Sequence, residues 1–244
     1  MSLTHRLAPS SQPSTIPMTA LRPIAAAIVM TGLCLNSAHA ATLVANGSFE
    51  TPDIRAGGIY VLHTAGSTAI TGWTVLGAPG EDIQHTPDSY LGLQASDGHQ
   101  WLDLTGVYGY DKGVRSDAFA TTLGATYRVS FDIGNYMPFG RSTVGVSING
   151  GAEQLFANTS LADNPKAPMN WATFGFDWIA DGTAAQLAFL GRANGDLGNN
   201  AVIGLDNVGF ELVKPPVPEP QTWALLLAGL SLVAAGVRRR SAAA

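Results

Sequence analysis

Cysteine is almost missing from this chain. Of 244 residues only Cys34 is one, and it lies in an apolar run near the N-terminus, so the remainder has neither a disulfide nor a thiol nucleophile. Histidine is scarce as well. Beyond residue 40 there are only His63, His85 and His99, and without an H-x-x-x-H or H-x-H spacing the common zinc patterns are excluded. No G-x-S-x-G elbow occurs, so a serine hydrolase of that type lacks its nucleophile turn. Positive charge is thin. Between residues 41 and 214, eight Lys and Arg face 17 Asp and Glu, a balance of minus nine against minus five for the whole chain. Such a surface repels nucleic acid and anionic lipid headgroups, and it suits neutral ligands, divalent cations or cationic partners.

Two segments read as addresses. Arg22, an apolar run over 24–35 and the small-x-small sequence Ala38-His39-Ala40 form a secretory signal peptide over 1–40, with Ala41 the first mature residue. Residues 1–17 are rich in Ser, Pro and Thr, and Met18 would open a signal peptide of ordinary length, which marks it as the true start. Leu33, before Cys34, is bulky where lipid attachment wants a small residue. At the other end stand Pro218-Glu219-Pro220, an apolar run over 222–237 and Arg238-Arg239-Arg240. Those 16 apolar residues would make about 24 Å of helix, just short of the roughly 30 Å hydrocarbon core, with Trp223 and Arg238 as interface anchors. The arginines stay cytoplasmic under the positive-inside rule, so the preceding domain faces the periplasm.

This tail resembles the PEP-CTERM sorting signal of Gram-negative bacteria. The resemblance implies an exosortase as partner, a membrane cysteine protease that cuts near the tripeptide. It further implies a transient membrane anchor, release to the cell surface or extracellular matrix, and a host that makes exopolysaccharide. The reading without it is an ordinary C-terminal anchor.

Between the addresses, 174 residues (41–214) suffice for one domain with a substantial core. Period-two alternation recurs there. Tyr127, Val129, Phe131 and Ile133 alternate with Arg128, Ser130 and Asp132, as in a half-buried strand. Val144, Val146 and Ile148 repeat the pattern and run into Asn149-Gly150-Gly151, which predicts a hairpin to a strand over 152–157. Further strands are expected over 69–76, 100–105, 115–122, 171–180, 184–190 and 201–213, with long loops over 54–68, 77–90, 107–113 and 161–170. The economical architecture is all-β, a two-sheet antiparallel sandwich. Prolines at 215, 216, 218 and 220 make a stiff spacer within the sorting segment, 215–244.

Asn46-Gly47-Ser48-Phe49-Glu50 opens the mature domain, Gly72-Trp73 follows, Asp97 to Leu104 contains a D-G-x-x-x-x-D-L strand, and Asp206-Asn207-Val208 sits in the last strand. These motifs resemble the galactose-binding-like jelly rolls of carbohydrate-binding modules. The resemblance implies that first and last strands pair and that Glu50 and Asp206 meet at a structural Ca2+, whose oxygen shell backbone carbonyls would complete. The plain alternative makes Glu50 a solvated strand-end acid.

A sugar site needs aromatic faces beside amides, carboxylates or guanidinium groups. The loop candidates are Tyr108 and Tyr110 with Asp111, and Asn135 and Tyr136 with Arg141; the plain alternative is that they cover a sheet end. Trp73, Trp101, Trp171 and Trp178 lie in strand patterns and read as core. A glycosidase would need two carboxylates across a cleft, and nothing in the sequence selects a pair. The expectation is therefore a non-enzymatic, polysaccharide-binding envelope or matrix protein. A purely structural or adhesive protein is the alternative, and a polysaccharide hydrolase is a distant third.

Overall fold

A computed structural model describes residues 42–107, 109–136, 141–160, 169–193, 202–216 and 220–241. The signal peptide and its cleavage residues, together with Pro218 and Glu219, lie outside them. In chain order the strands among the described residues are β1 (Val61–Thr64), β2 (Trp73–Leu76), β3 (Asp82–Pro87), β4 (Gln100–Asp103), β5 (Gly113–Ser116), β6 (Phe119–Ala120), β7 (Thr126–Asn135), β8 (Ser142–Ile148), β9 (Gln154–Asn158), β10 (Asn170–Ile179), β11 (Ala184–Ala185), β12 (Leu187–Arg192) and β13 (Ile203–Lys214). A helix, α1 (Pro220–Ser241), follows. It contains the expected 222–237 helix, but no helix among the described residues is long and apolar enough to cross a membrane.

The strands form a six-stranded sheet, β1-β3-β4-β13-β7-β10, and a five-stranded sheet, β2-β5-β12-β8-β9, while β6 and β11 pair separately. Every pairing is antiparallel. The expected jelly-roll sandwich is thus the observed fold. Alternation decides what each strand buries: Val129, Phe131 and Ile133 of β7, Leu205 and Phe210 of β13, and Val144, Val146 and Phe189 of the other sheet join one core. Aromatic rings bridge the layers, Phe131 meeting Phe189 at 5.2 Å and Phe156 at 5.2 Å. The predicted hairpin forms around Asn149 and Gly150, both left-handed with φ of 53° and 69°, and the Gly151 amide donates to the Ile148 carbonyl at 2.9 Å.

Two strands lie where loops are expected. β1 and β3 occupy parts of 54–68 and 77–90. In β3, Ile83 and His85 face inward and Thr86 is buried, so polar residue types hide a core strand from a reading based on aliphatic alternation. β1 buries only His63 and lies at a sheet edge, where little hydrophobic pattern is required. The expected strand over 115–122 is broken into β5 and β6, because Asp117 turns its amide to Gly72 instead of a neighbouring strand.

The N-terminal segment closes the sandwich against β13. The amides of Leu43 and Val208 donate to the carbonyls of Phe210 and Gly47, each at 2.9 Å. Phe49 is fully buried and lies 5.1 Å from Trp73. Asn46 ties the turn, its side-chain amide donating to Thr51 and Thr71 carbonyls. The Phe49 carbonyl accepts from His85 Nε2 (2.8 Å) and Gln100 Nε2 (2.9 Å). His85 must therefore carry its proton on Nε2, which leaves Nδ1 buried and without a partner among the described residues. Burial accordingly pushes His85 down to about 4.

Two outcomes follow. A methyl group at Gly47 would meet the Val208 carbonyl oxygen well inside van der Waals contact, whereas at Gly57 it meets nothing. Gly47→Ala is expected to cost on the order of 3 kcal/mol of unfolding free energy and Gly57→Ala almost nothing; equal denaturant midpoints would contradict this packing. Because the folded pKa of His85 lies below its unfolded value, its contribution is present above about pH 6.5 and lost on acidification toward 4, by about 3 kcal/mol. Burial shifts Asp103 and Asp206 upward, which opposes this slope. The measurement is therefore the difference in unfolding free energy between wild type and His85→Gln across pH 4 to 6.5, and a pH-independent difference would refute the assignment.

Candidate functional site

Topology brings the sequence-predicted loop residues to one end of the sandwich, but it gives most of them structural partners. Tyr108 lies outside the described residues. Tyr110 is half-buried against the main core. Asp111 is left-handed, with φ of 64°; its amide donates to the Gly191 carbonyl at 2.8 Å and its carboxylate pairs with Arg192, which also holds Glu153 at 2.8 Å. Asn135 is no loop residue. It ends β7, buried, and its side-chain amide donates to the carbonyls of Asn158 (3.1 Å) and Ser160 (2.8 Å). Tyr136 packs on a small second core with Leu93, Trp101 and Met169, while Arg141 is exposed. Trp73 and Trp101 are buried as expected, and Trp171 and Trp178 are half-buried against the two cores.

That second core lies on the outer face of the six-stranded sheet, under a strap over residues 88–99 that joins β3 to β4. The strap's neck is closed by the Asp88 amide on the His99 carbonyl (2.9 Å) and by His99 Nδ1 on the Asp88 carboxylate (3.0 Å). Leu93 packs beneath it with Trp101 and Met169, and Trp171 Nε1 donates to the Gln94 carbonyl at 2.8 Å. Gly134 and Gly204, paired across β7 and β13, leave room for Met169 and Trp171 where a methyl group would collide.

Carboxylates hold the strap down. Asp206 Oδ2 accepts from the amides of Ser96 (2.8 Å) and Asp97 (2.9 Å), and Oδ1 from that of Asn207 (2.7 Å). Glu50 Oε1 accepts from the amides of His99 and Gln100, both at 2.7 Å. Asp132, the cross-strand partner of Asp206, takes the Ser96 hydroxyl and the Asn207 side-chain amide. Burial pushes Asp206 up to about 8, against the pull of the three amides.

The structure thus brings Glu50 and Asp206 to one loop, as the resemblance implies, and that loop's amides bond to them. Amide hydrogens thus occupy Glu50 Oε1 and both oxygens of Asp206. Among the described residues no group of three His, Cys, Asp or Glu side chains is placed to hold a metal.

A surface that sequence reasoning missed lies beside the β1 edge and the strap. Tyr60 and Tyr90 meet edge to face, with ring centres 5.2 Å apart at 82°. Leu91 follows, left-handed at φ 53° and 70% exposed, a conformation that costs about 1–2 kcal/mol for an L-residue. Asp53 and Arg55 form an ion pair at 2.7 Å next to the Asp88–His99 pair. Arg55 feels Glu50 and Asp88, and Asp53 lies close enough to feel His99, so the two pairs form one polar cluster. The Tyr60-Val61-Leu62 and Tyr90-Leu91 sequences were the available signal, inside segments read as loops.

Asp206→Ala leaves three amides without acceptors and is expected to cost on the order of 3 kcal/mol. EDTA is expected to leave the wild-type melting midpoint unchanged; a drop of several degrees with EDTA would restore calcium.

The comparisons with known proteins agree with this architecture. The PEP-CTERM protein-sorting motif matches residues 216–240. No curated protein matches the chain. Among solved structures, a cyclase from Fischerella sp. TAU is similar in fold at 15% identity, with a TM-score of 0.50 over 73% of this chain and all of the cyclase. The CBM22-1 xylan-binding domain of Paenibacillus barcinonensis Xyn10C is 17% identical, with a TM-score of 0.38 over 64% of this chain and 94% of that one. A family 16 carbohydrate-binding module is 17% identical, with a TM-score of 0.41 over 69% of this chain and 98% of that one. At 15% identity the likeness to the cyclase is one of fold alone. The chain is a jelly-roll β-sandwich that ends in a PEP-CTERM protein-sorting motif, the signal by which an exosortase processes exported proteins for sorting to the cell surface.

Proposed function

We propose that this is an exported, non-catalytic surface or matrix protein whose sandwich binds a neutral polysaccharide. The carrying observation is the juxtaposition of a sorting motif at 216–240 with a sandwich whose last strand ends at Lys214. Cargo and address are separated only by a proline spacer. The run over 222–237 and the arginines after it support a transient membrane stage before processing, with the exosortase as partner.

Several features favour a binding role over an enzymatic one. Burial raises the carboxyl groups of Asp103 (to about 6) and Asp206 (to about 8), the behaviour of a general acid. Both are buried, however, and their oxygens are occupied by Thr105, the Ile203 amide and the strap amides, so neither reaches a substrate. A balance of minus nine over 41–214 disfavours polyanions. The alternative of a structural or adhesive protein without a sugar site draws support from Tyr110, Asp111, Asn135 and Tyr136, which have internal partners.

The sorting half is tested in a host that has an exosortase. The wild-type chain is expected as a shortened product outside the inner membrane. With Pro218→Ala, Glu219→Ala and Pro220→Ala combined, the full-length chain is expected to stay with the cells. Equal release of both would sink the proposal.

A further inference from the structure

We propose that the Tyr60–Tyr90 pair, with Leu91 and the flanking Asp53–Arg55 and Asp88–His99 pairs, is the subsite that takes a neutral polysaccharide chain. This rests on the carbohydrate-binding reading and locates it on the β1 edge, away from the loop end that the sequence suggested.

The aromatic geometry comes first. Tyr60 enters the edge strand β1 and Tyr90 begins the strap, two elements pinned independently, so the edge-to-face rings at 5.2 Å are set before any ligand arrives. A ring held in place offers its face to the C–H side of a pyranose at little entropic cost. No hydrogen bond ties either hydroxyl down among the described residues, so both remain available to a ligand.

Leu91 carries the second step. Its backbone is left-handed and its side chain is 70% exposed, so the fold accepts strain at a residue that gains no packing in return. Glycine would relieve the strain, and a polar side chain would suit the solvent. An apolar side chain held out beside two tyrosines is what a partly apolar ligand requires. Ile59, 60% exposed, extends the same surface from the residue before Tyr60.

The polar rim supplies the third. Arg55 spends Nε and Nη2 on Asp53, and Asp88 receives His99 on Oδ2. Each pair keeps donor or acceptor capacity for vicinal hydroxyls. The acids Asp53 and Asp88 outnumber the one guanidinium of Arg55, so the rim shares the acidic sign of the whole domain: an uncharged chain is accommodated and a polyanion is repelled. A second copy of the chain, adding to the open β1 edge, is the competing occupant, and the test separates it.

The full chain in detergent is run by affinity electrophoresis through gels containing xylan, dextran or β-1,3-glucan, with alginate as the polyanionic control. At least one neutral polymer is expected to retard the wild type. Tyr60→Ala and Tyr90→Ala are each expected to weaken that binding by roughly tenfold, and Asp111→Ala and Arg141→Ala, at the loop end, to leave it unchanged. Because the tyrosines are half-buried, Leu91→Gly guards against misfolding: it is expected to hold or raise the melting midpoint while weakening binding severalfold. Retained binding in Tyr60→Ala, Tyr90→Ala and Leu91→Gly, with loss in Asp111→Ala or Arg141→Ala, would overturn the subsite and spare the carbohydrate reading. No retardation of the wild type by any neutral polymer would overturn both. Sedimentation that shows a dimer broken by these patch variants, with glycan binding intact, would make the patch an interface between copies and overturn the subsite.

Discussion

The bond from the Val208 amide to the Gly47 carbonyl, 2.9 Å long, closes the sandwich, and much else is routed through it. β4 pairs with β13 only at Gly204 and Leu205, so from Asp206 onward one side of the last strand would face the interior with unpaired amides. The N-terminal segment fills that side. To do so it must enter where β13 shifts register between Asp206 and Gly209, and only a residue without a side chain fits at 47, where the Val208 carbonyl oxygen lies. Once Gly47 is seated, Phe49 reaches the core beside Trp73, its carbonyl receives His85 and Gln100, and Glu50 receives the strap. The five residues from Asn46 to Glu50 thus couple the last strand, the core and the strap in one stretch of chain.

The strap buries the middle of the six-stranded sheet, around β4, β7 and β13, on both sides. β7 and β13 send aliphatic and aromatic residues inward and place Asp132, Gly134, Gly204 and Asp206 outward. Those outward residues are poor at burying apolar area, since two are acids and two are glycines. Their value is directional. Apolar contacts alone would let a 12-residue loop slide over the sheet, whereas carboxylates aimed at the amides of 96, 97, 99 and 100 fix its path residue by residue. Burying Asp206 carries a desolvation cost, visible in its upward shift to about 8, and three amides offset part of it.

How much of this the sequence revealed depended on residue type. The long strands β7, β8, β10 and β13 were legible because aliphatic and aromatic residues alternate in them, and the turn at Asn149 and Gly150 because two left-handed residues demand Asn and Gly. The sorting motif was legible because it is a linear signal that needs no partner from elsewhere in the chain. β1 and β3 were hidden because His63, His85 and Thr86 occupy buried positions that pattern reading reserves for aliphatics. The first and last motifs were rightly joined, yet the role of Glu50 and Asp206 turned on which atoms face them, and no spacing reveals that amides from residues 49 to 110 positions away will converge. Asn135, a loop residue by pattern, ends a strand ten residues long.

The same dependence explains why an edge, and not the loop end, is the better place for recognition. Loops at the end of the sandwich are held by internal pairs, Asp111 and Glu153 each with Arg192, and Asn135 with the carbonyls of 158 and 160; a ligand there would have to break what it found. Tyr60 and Tyr90 hang instead on two elements already fixed from beneath. The strap is held by buried acids, and β1 lies on β3, whose His85 is bonded to the N-terminal hook. Their rings meet at solvent without any internal bond to displace. A pair of rings that is rigid because its support is buried, and whose hydroxyls carry no internal bond among the described residues, combines the two properties that recognition of an uncharged, weakly apolar chain requires.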